Sequence, residues 1–245
     1  IHATTNTNKM GVSTPTVVSP SLTWETVADL NFGLDTRFLN DKVGATFDWY
    51  QRTTSNMITA GVTLPRSFGA AAPSRNYGEM QTTGWEVALD FNHAFENGLR
   101  INASGSLSDF QEKITKFANT TRTTTSNYEG KVLGEIWGYE TDRFFTNDDF
   151  QQDANGGLVL VNGRPVLKPG IPSQAQFETS TFWFGPGDVK YKDLNGDGKI
   201  DQGANTVENP GDQRVIGNST PRYQYGFRLG ADWKGFDFDI YFQGV

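Results

Sequence analysis

Cysteine is absent from this 245-residue chain, so disulfides and cysteine-based metal or redox centres are excluded. Histidine occurs only as His2 and His93, far apart and with no acid or second histidine at helical ligand spacing, which argues against a zinc site. No run of about 18 apolar residues occurs, so no transmembrane helix is encoded. Membrane-spanning strands alternate in polarity and escape that test. Positive charge is in the minority: 21 Lys and Arg stand against 28 Asp and Glu, a formal charge of −7. That balance argues against nucleic acid or an anionic membrane face as partner. Nucleophile-elbow and phosphate-loop patterns are missing too, and the paired acids Asp237 and Asp239 fall on alternate strand positions that need no catalysis. No enzyme is supported. The chain opens on Ile1 without a signal peptide, which reads as a processed or fragmentary product.

What is present favours strands and turns. Glycine numbers 27 and aromatics reach 13%, with hydrophobic content at 36%. Six segments alternate with period two. The first spans about Trp24 to Phe38, with Phe32, Leu34 and Thr36 opposite Asn31, Gly33 and Asp35. "KVGATFDWYQRTT" sets Val43, Ala45, Phe47 and Trp49 against Gly44, Thr46, Asp48 and Tyr50. "GWEVALDFNHAF" sets Trp85, Val87, Leu89 and Phe91 against Glu86, Asp90 and Asn92. "LRINASGSLSDF" repeats the pattern, as do "YQYGFRLGADW" and "FDFDIYFQGV".

The connections follow a second rule. "LNDK", "ENG" and "KG" close tight hairpins, whereas Asn56 to Gly78 and Ala118 to Pro221 form long excursions. Short and long alternate strictly, which puts every tight turn at one end of the sheet. A soluble antiparallel sandwich explains the alternation equally well. Loop asymmetry and strand length favour an outer-membrane barrel with short periplasmic turns and long extracellular loops. The expected fold class is therefore all-β: antiparallel up-and-down strands forming part of a transmembrane β-barrel. Six strands are fewer than the eight of the smallest closed barrels, so the chain is expected to be a part of one.

The long insertion holds its own signals. "NTTRTTTSN" is a polar Thr-rich tract, and Asn162-Gly163 marks a local hairpin. Phe177, Phe182, Trp183 and Phe184 cluster before a Pro-Gly turn. Such aromatics stack on sugar rings or, more commonly, pack a loop's own core. "YKDLNGDGKID" places Asp193, Asn195, Asp197, the Lys199 carbonyl and Asp201 on alternate positions of a calcium-type loop. The bidentate acid of such loops is missing, because Ala204 holds its place, and Asp188, Glu208 or Asp212 would complete the set only by folding back. The other reading is a turn laced by side-chain hydrogen bonds, with Asn195-Gly196 and Asp197-Gly198 at its bends.

"GDVKYKDLNGDGKID" followed by "VIGNSTPRYQYGFRLGADWKGFDFDIYFQGV" resembles the late barrel region of SusC/RagA-type TonB-dependent outer-membrane transporters of Bacteroidetes. "LTWETVADLNFGLDTRFLNDKVGATFDWYQRTTSNMI", "NYGEMQTTGWEVALDFN" and "GEIWGYETDRFF" are similar to further segments of that family, in family order. The resemblance implies a partial barrel over residues 1–245, with 118–221 as a long extracellular insertion and no plug domain. It implies energy-coupled import of oligosaccharides or peptides by the parent protein. It also implies a SusD-like surface lipoprotein, the TonB system and outer-membrane lipid as partners. Asp90, Arg100, Asn102, Arg228 and Asp239 would then line the wall around the plug. A secreted, calcium-stabilised sandwich that binds glycan is the alternative.

Overall fold

The structure is a computed structural model that describes residues 18–60, 65, 67, 69 and 72–245; His2 lies outside them. Four long strands open the chain: β1 (Thr26–Phe38), β2 (Val43–Thr59), β3 (Arg75–Ala94) and β4 (Arg100–Lys116). Six short ones follow: β5 (Glu135–Tyr139), β6 (Thr141–Phe144), β7 (Leu160–Val161), β8 (Arg164–Pro165), β9 (Val189–Tyr191) and β10 (Gln213–Asn218). β11 (Gln224–Trp233) and β12 (Phe236–Gly244) close the chain. The long strands form one antiparallel sheet in the order β1-β2-β3-β4-β11-β12, so sheet neighbours are also neighbours in sequence once β5–β10 are set aside. This is the expected up-and-down arrangement. Among the described residues the sheet is open, because β1 and β12 each pair on one side only.

The strands outrun the alternation that marks them. β2 reaches Thr59, β3 starts at Arg75 and β4 continues to Lys116, so the expected 56–78 excursion shrinks to residues 60–74. Alternation fades there because the register shifts between Thr54 and Met57, between Met57 and Ile58, and between Glu79 and Met80. Each bulge turns the following side chains to the other face. Trp24 and Tyr223, read from sequence as strand residues, lie just outside; Tyr223 takes a left-handed φ of 54°.

Register stacks the apolar positions into six rows across the sheet. Phe32, Trp49 and Trp85 form one edge row, and Phe95, Leu99, Trp233 and Phe236 the opposite one. Between them run rows such as Leu34-Phe47-Val87-Leu107-Tyr225 and Phe38-Val43-Phe91-Ala103-Leu229-Ile240. Six rows spaced two residues apart cover ~34 Å along the strands, which a ~45° tilt reduces to ~24 Å. A sandwich would lay a second sheet over this face. The remaining sheets are two-stranded, are built within residues 117–223, and leave it uncovered. Phe32, Leu34, Leu89, Phe238 and Phe242 are each more than half exposed. The buried apolar side chains gather elsewhere: Tyr128, Phe145, Phe150 and Ile200 in the 117–223 segment, with Ile114 at its base on β4.

The opposite face needs close backbone approach. Tyr50 lies across from Gly84, and a Cβ on Gly84 would meet the Tyr50 hydroxyl at 2.5 Å. Gly84→Val is expected to destabilise the sheet by about 1–3 kcal/mol, read by urea titration of the refolded parent barrel. Tyr50→Ala in the same chain should recover part of that loss, whereas strictly additive costs would show that the ring is not the obstacle.

Candidate functional site

Alternate residues between the apolar rows build a polar face. Arg37, Gly44, Asp90, Ser104, Arg228 and Tyr241 share one cross-strand row, and Asn92, Asn102, Gly230 and Asp239 share the next. Arg37 spans both Asp90 oxygens at 3.2 and 3.4 Å, and Asn92 donates to the same carboxylate at 3.3 Å. Arg228 donates twice to Asp239, at 2.8 and 2.6 Å, and Arg52 donates to Asp29 at 2.8 Å. These charges are paired within the wall itself. Asp90, Asn92, Asn102, Ser104 and Arg228 line a shallow concavity of about 340 Å³. Four of the five expected wall residues thus come together. Arg100 lies one row nearer the hairpins, opposite Asp232, without an ion pair among the described residues. Asp48 and Glu86 face each other directly with like charge, an arrangement that costs stability unless a cation relieves it.

The 117–223 segment folds as a small module standing on β4 and β11. β11 pairs with β4 only as far as Ser108; beyond that, residues 130–133 take over the β4 edge, with Ile114 N–H donating to the Lys131 carbonyl at 2.8 Å. Arg222 grips both oxygens of Asp109 and fixes the chain where it returns to β11. Inside the module, buried polar groups terminate loops that have no long ladders. Gln174 donates to the Val189 carbonyl at 3.0 Å and accepts from Tyr191 N–H at 2.6 Å, sealing β9. Asp149, almost fully buried, accepts two 2.6 Å bonds from Arg143 and one of 2.8 Å from Thr146 N–H. The Arg143 hydrogen bonds outweigh burial and hold the Asp149 carboxyl well below the usual carboxylate range. Neither Asp149 nor Gln174 carries a signal that a single sequence displays, since each is one polar residue among many.

The aromatic cluster divides. Phe177 packs edge-on against Tyr139 at 4.8 Å and against Tyr191 at 5.8 Å. Phe184 contacts Phe145 at 6.1 Å and Phe182 at 5.0 Å. Phe177 and Phe184 therefore serve the module's own core. Phe182 and Trp183 remain exposed, Trp183 with the Arg164 guanidinium 5.8 Å from its ring.

In "YKDLNGDGKID" every carboxylate meets backbone amides. Asp193 accepts from Gly196 N–H at 2.6 Å and Gly198 N–H at 2.9 Å, Asn195 from Asp197 N–H at 3.0 Å, and Asp197 from Lys199 N–H at 3.0 Å. Asp201 accepts from Gly203 N–H at 2.7 Å; the Lys199 ammonium, 2.7 Å from it, lowers its pKa. The hub is Asp212, fully buried and one of the acids expected to reach this loop by folding back, which accepts from Leu194 N–H at 2.7 Å and Asp201 N–H at 2.8 Å. Among the described residues, no group of three or more His, Asp or Glu side chains stands close enough to hold a metal ion.

Comparison with known proteins follows this geometry. The family profile described as "TonB dependent receptor-like, beta-barrel" matches residues 3–244. TonB-dependent receptor P26 of Formosa agariphila is 26% identical over 235 residues, covering 93% of this chain and 21% of that protein. TonB-dependent receptor P39 of the same organism is 26% identical over 236 residues, covering 90% of this chain and 22% of that protein. The chain thus spans about a fifth of the length of the curated relatives it matches. Among solved structures, the RagAB peptide importer in its "open-open" state superposes with a TM-score of 0.62 at 22% identity, over 96% of this chain and 22% of the other. Its "closed-closed" state gives 0.61 at 22% identity, over 97% and 23%.

The Asp149 arrangement sets a pH dependence. Its pKa is depressed in the folded state, so its stabilisation is complete above the unfolded carboxylate range and drains away as pH falls toward the folded value. Asp149→Asn is expected to cost the module roughly 2–3 kcal/mol at neutral pH. It should also lose less than the native chain between about pH 5 and about pH 2. Hydrogen exchange at Phe145 and Phe150 reads both effects, and an unchanged acid slope would contradict the assignment.

Proposed function

Because the chain belongs to the TonB-dependent receptor-like β-barrel family, we propose that it forms six consecutive wall strands of an outer-membrane nutrient importer. One observation carries the reading: the uncovered apolar face of the sheet is ~24 Å tall, the height of the apolar band of an outer-membrane barrel. Aromatic rows at both edges, Phe32-Trp49-Trp85 and Phe95-Trp233-Phe236, match the girdles such barrels place at the two interfaces. The polar face then lines the lumen, with Asp90, Arg100, Asn102, Arg228 and Asp239 toward a plug supplied by the parent protein. The Asp48–Glu86 pair, without an ion-pair partner among the described residues, supports a cationic group of that plug as neighbour.

The tight turns take the periplasmic end, and the 117–223 module stands at the extracellular mouth. Exposed Phe182 and Trp183 there meet the cargo, a large polar nutrient of the oligosaccharide or peptide class, or the SusD-like lipoprotein that caps the barrel. The likeness to the RagAB peptide importer supports the peptide member of that pair. Calcium at Asp193, Asn195, Asp197, the Lys199 carbonyl and Asp201 is a separate proposal, supported by the alternate oxygen spacing.

Deleting the parent protein is expected to abolish proton-motive-force-dependent uptake of one labelled oligosaccharide or peptide. Phe182→Ala with Trp183→Ala should lower that uptake on the order of tenfold at unchanged outer-membrane level. Uptake that survives deletion for every cargo would overturn the import reading. For calcium, excess ion over chelator should raise the melting temperature of the parent, and coincident melts would remove the ion.

A further inference from the structure

The formal charge of −7 hides one local concentration of positive charge. Above the Phe32-Trp49-Trp85 row the apolar face continues through Gln51-Thr83-Gln111 to Thr53-Gln81-Lys113. Lys113 therefore points to the same side as Leu107 and away from the polar face. It stands two rows beyond the aromatic edge, ~10 Å higher at a ~45° tilt, which is headgroup level. Lys116 follows on the same strand, opposite Glu79. The Tyr77 ring lies between two cations, with the Arg75 guanidinium 4.3 Å and the Lys116 ammonium 4.8 Å from its centroid. Arg75, Tyr77, Lys113, Thr115 and Arg122 line a cleft of about 930 Å³.

Cation pairing in the cleft is incomplete. Neither Lys113, Lys116 nor Arg75 has a salt bridge among the described residues, and the Nε atoms of Arg75 and Arg122 are buried without a hydrogen-bond partner. The acids nearby are partly committed: Glu208 binds Arg122 at 2.5 Å and Glu79 accepts the Thr115 hydroxyl at 2.8 Å, while Glu129 lines the cleft. An anion with several oxygens fits these donors, because guanidinium and ammonium groups both prefer phosphate geometry. Position decides which anion. A cargo acid approaches along the polar face, whereas this cleft opens beside the apolar band, where acyl chains would lie against Trp49 and Trp85.

We propose that the cleft lined by Arg75, Lys113 and Arg122, with Lys116 beside it over the Tyr77 ring, docks the phosphate of a phosphorylated glycolipid in the outer leaflet. This rests on the outer-membrane reading above. The glycolipid's acyl chains continue along the apolar rows while the phosphate replaces the missing partners of the cations. It holds the end of β2, the start of β3 and the end of β4, and the module standing on them, at a fixed height in the membrane.

The test uses the full-length parent, extracted in mild detergent and titrated with bisphosphorylated lipid A and with its dephosphorylated form. Lys113→Gln with Lys116→Gln is the informative variant, since both side chains are exposed and unpaired among the described residues. Native mass spectrometry is expected to show preference for the phosphorylated lipid, weakened on the order of thirtyfold in the variant. Equal retention of both lipids, or a variant that binds as the native protein does, overturns the proposal. Displacement of the lipid by a soluble acidic peptide, with no effect of lipid phosphorylation, would assign the cleft to cargo and overturn it as well. Failure of the outer-membrane reading shows separately, as a parent protein that does not fractionate with the outer membrane.

Discussion

One constraint organises this chain: a six-stranded sheet whose apolar face is covered by nothing among the described residues. A sheet of Phe, Trp, Leu and Val left in water would associate edge to edge and face to face. The alternation that creates that face also fixes the other one, because side chains on a strand have only two directions. Once Leu34, Phe47, Val87, Leu107 and Tyr225 share a row, Asp35, Thr46, Ser106 and Gln243 must share the row beside it on the opposite face. The Arg37–Asp90 and Arg228–Asp239 pairs follow from this geometry, since charges confined to one wall find partners in adjacent strands.

The long connection answers a different physical problem. A segment of about a hundred residues without long ladders must satisfy its backbone groups by other means. It does so with buried carboxylates and amides as hubs: Asp149 for the turn after β6, Gln174 for β9, and Asp212 for the stretch from Leu194 to Asp201. Among the described residues, Tyr128, Phe145, Phe150 and Ile200 supply its apolar burial. Two fastenings tie the module to the sheet, the Arg222–Asp109 ion pair and the 130–133 segment on the β4 edge. The module therefore sits on the wall as a braced element.

The sheet was legible in the sequence because period two is a strong signal wherever one face is apolar. Phe236, Phe238, Ile240 and Phe242 announce their strand without any context. Legibility ended where bulges intervened, as at Thr54 to Ile58, and where a strand continued above the apolar band. Residues such as Gln81 and Lys113 keep the register of β3 and β4 but carry no hydrophobic mark, so both strands read too short. The candidate site was legible in part. Asp90, Asn102, Arg228 and Asp239 were placed on one face by alternation alone, and the structure adds which of them touch. Asp212 was legible only as one of three acids able to fold back on the loop; its selection as the amide-accepting hub depends on a chain reversal that nothing local in "NPGDQR" records.

In the proposed outer-membrane setting, the odd-numbered face of β3 meets lipid and the even-numbered face meets water. Native cysteine is absent from this chain, so single cysteines placed from Gly84 to His93 in a parent protein freed of any others report their own surroundings. The measurement is the reaction of each with a water-soluble maleimide in intact outer-membrane vesicles. Protection is expected at 85, 87, 89, 91 and 93 and reaction at 84, 86, 88, 90 and 92. Uniform reaction along the strand, or protection that does not alternate, would contradict it.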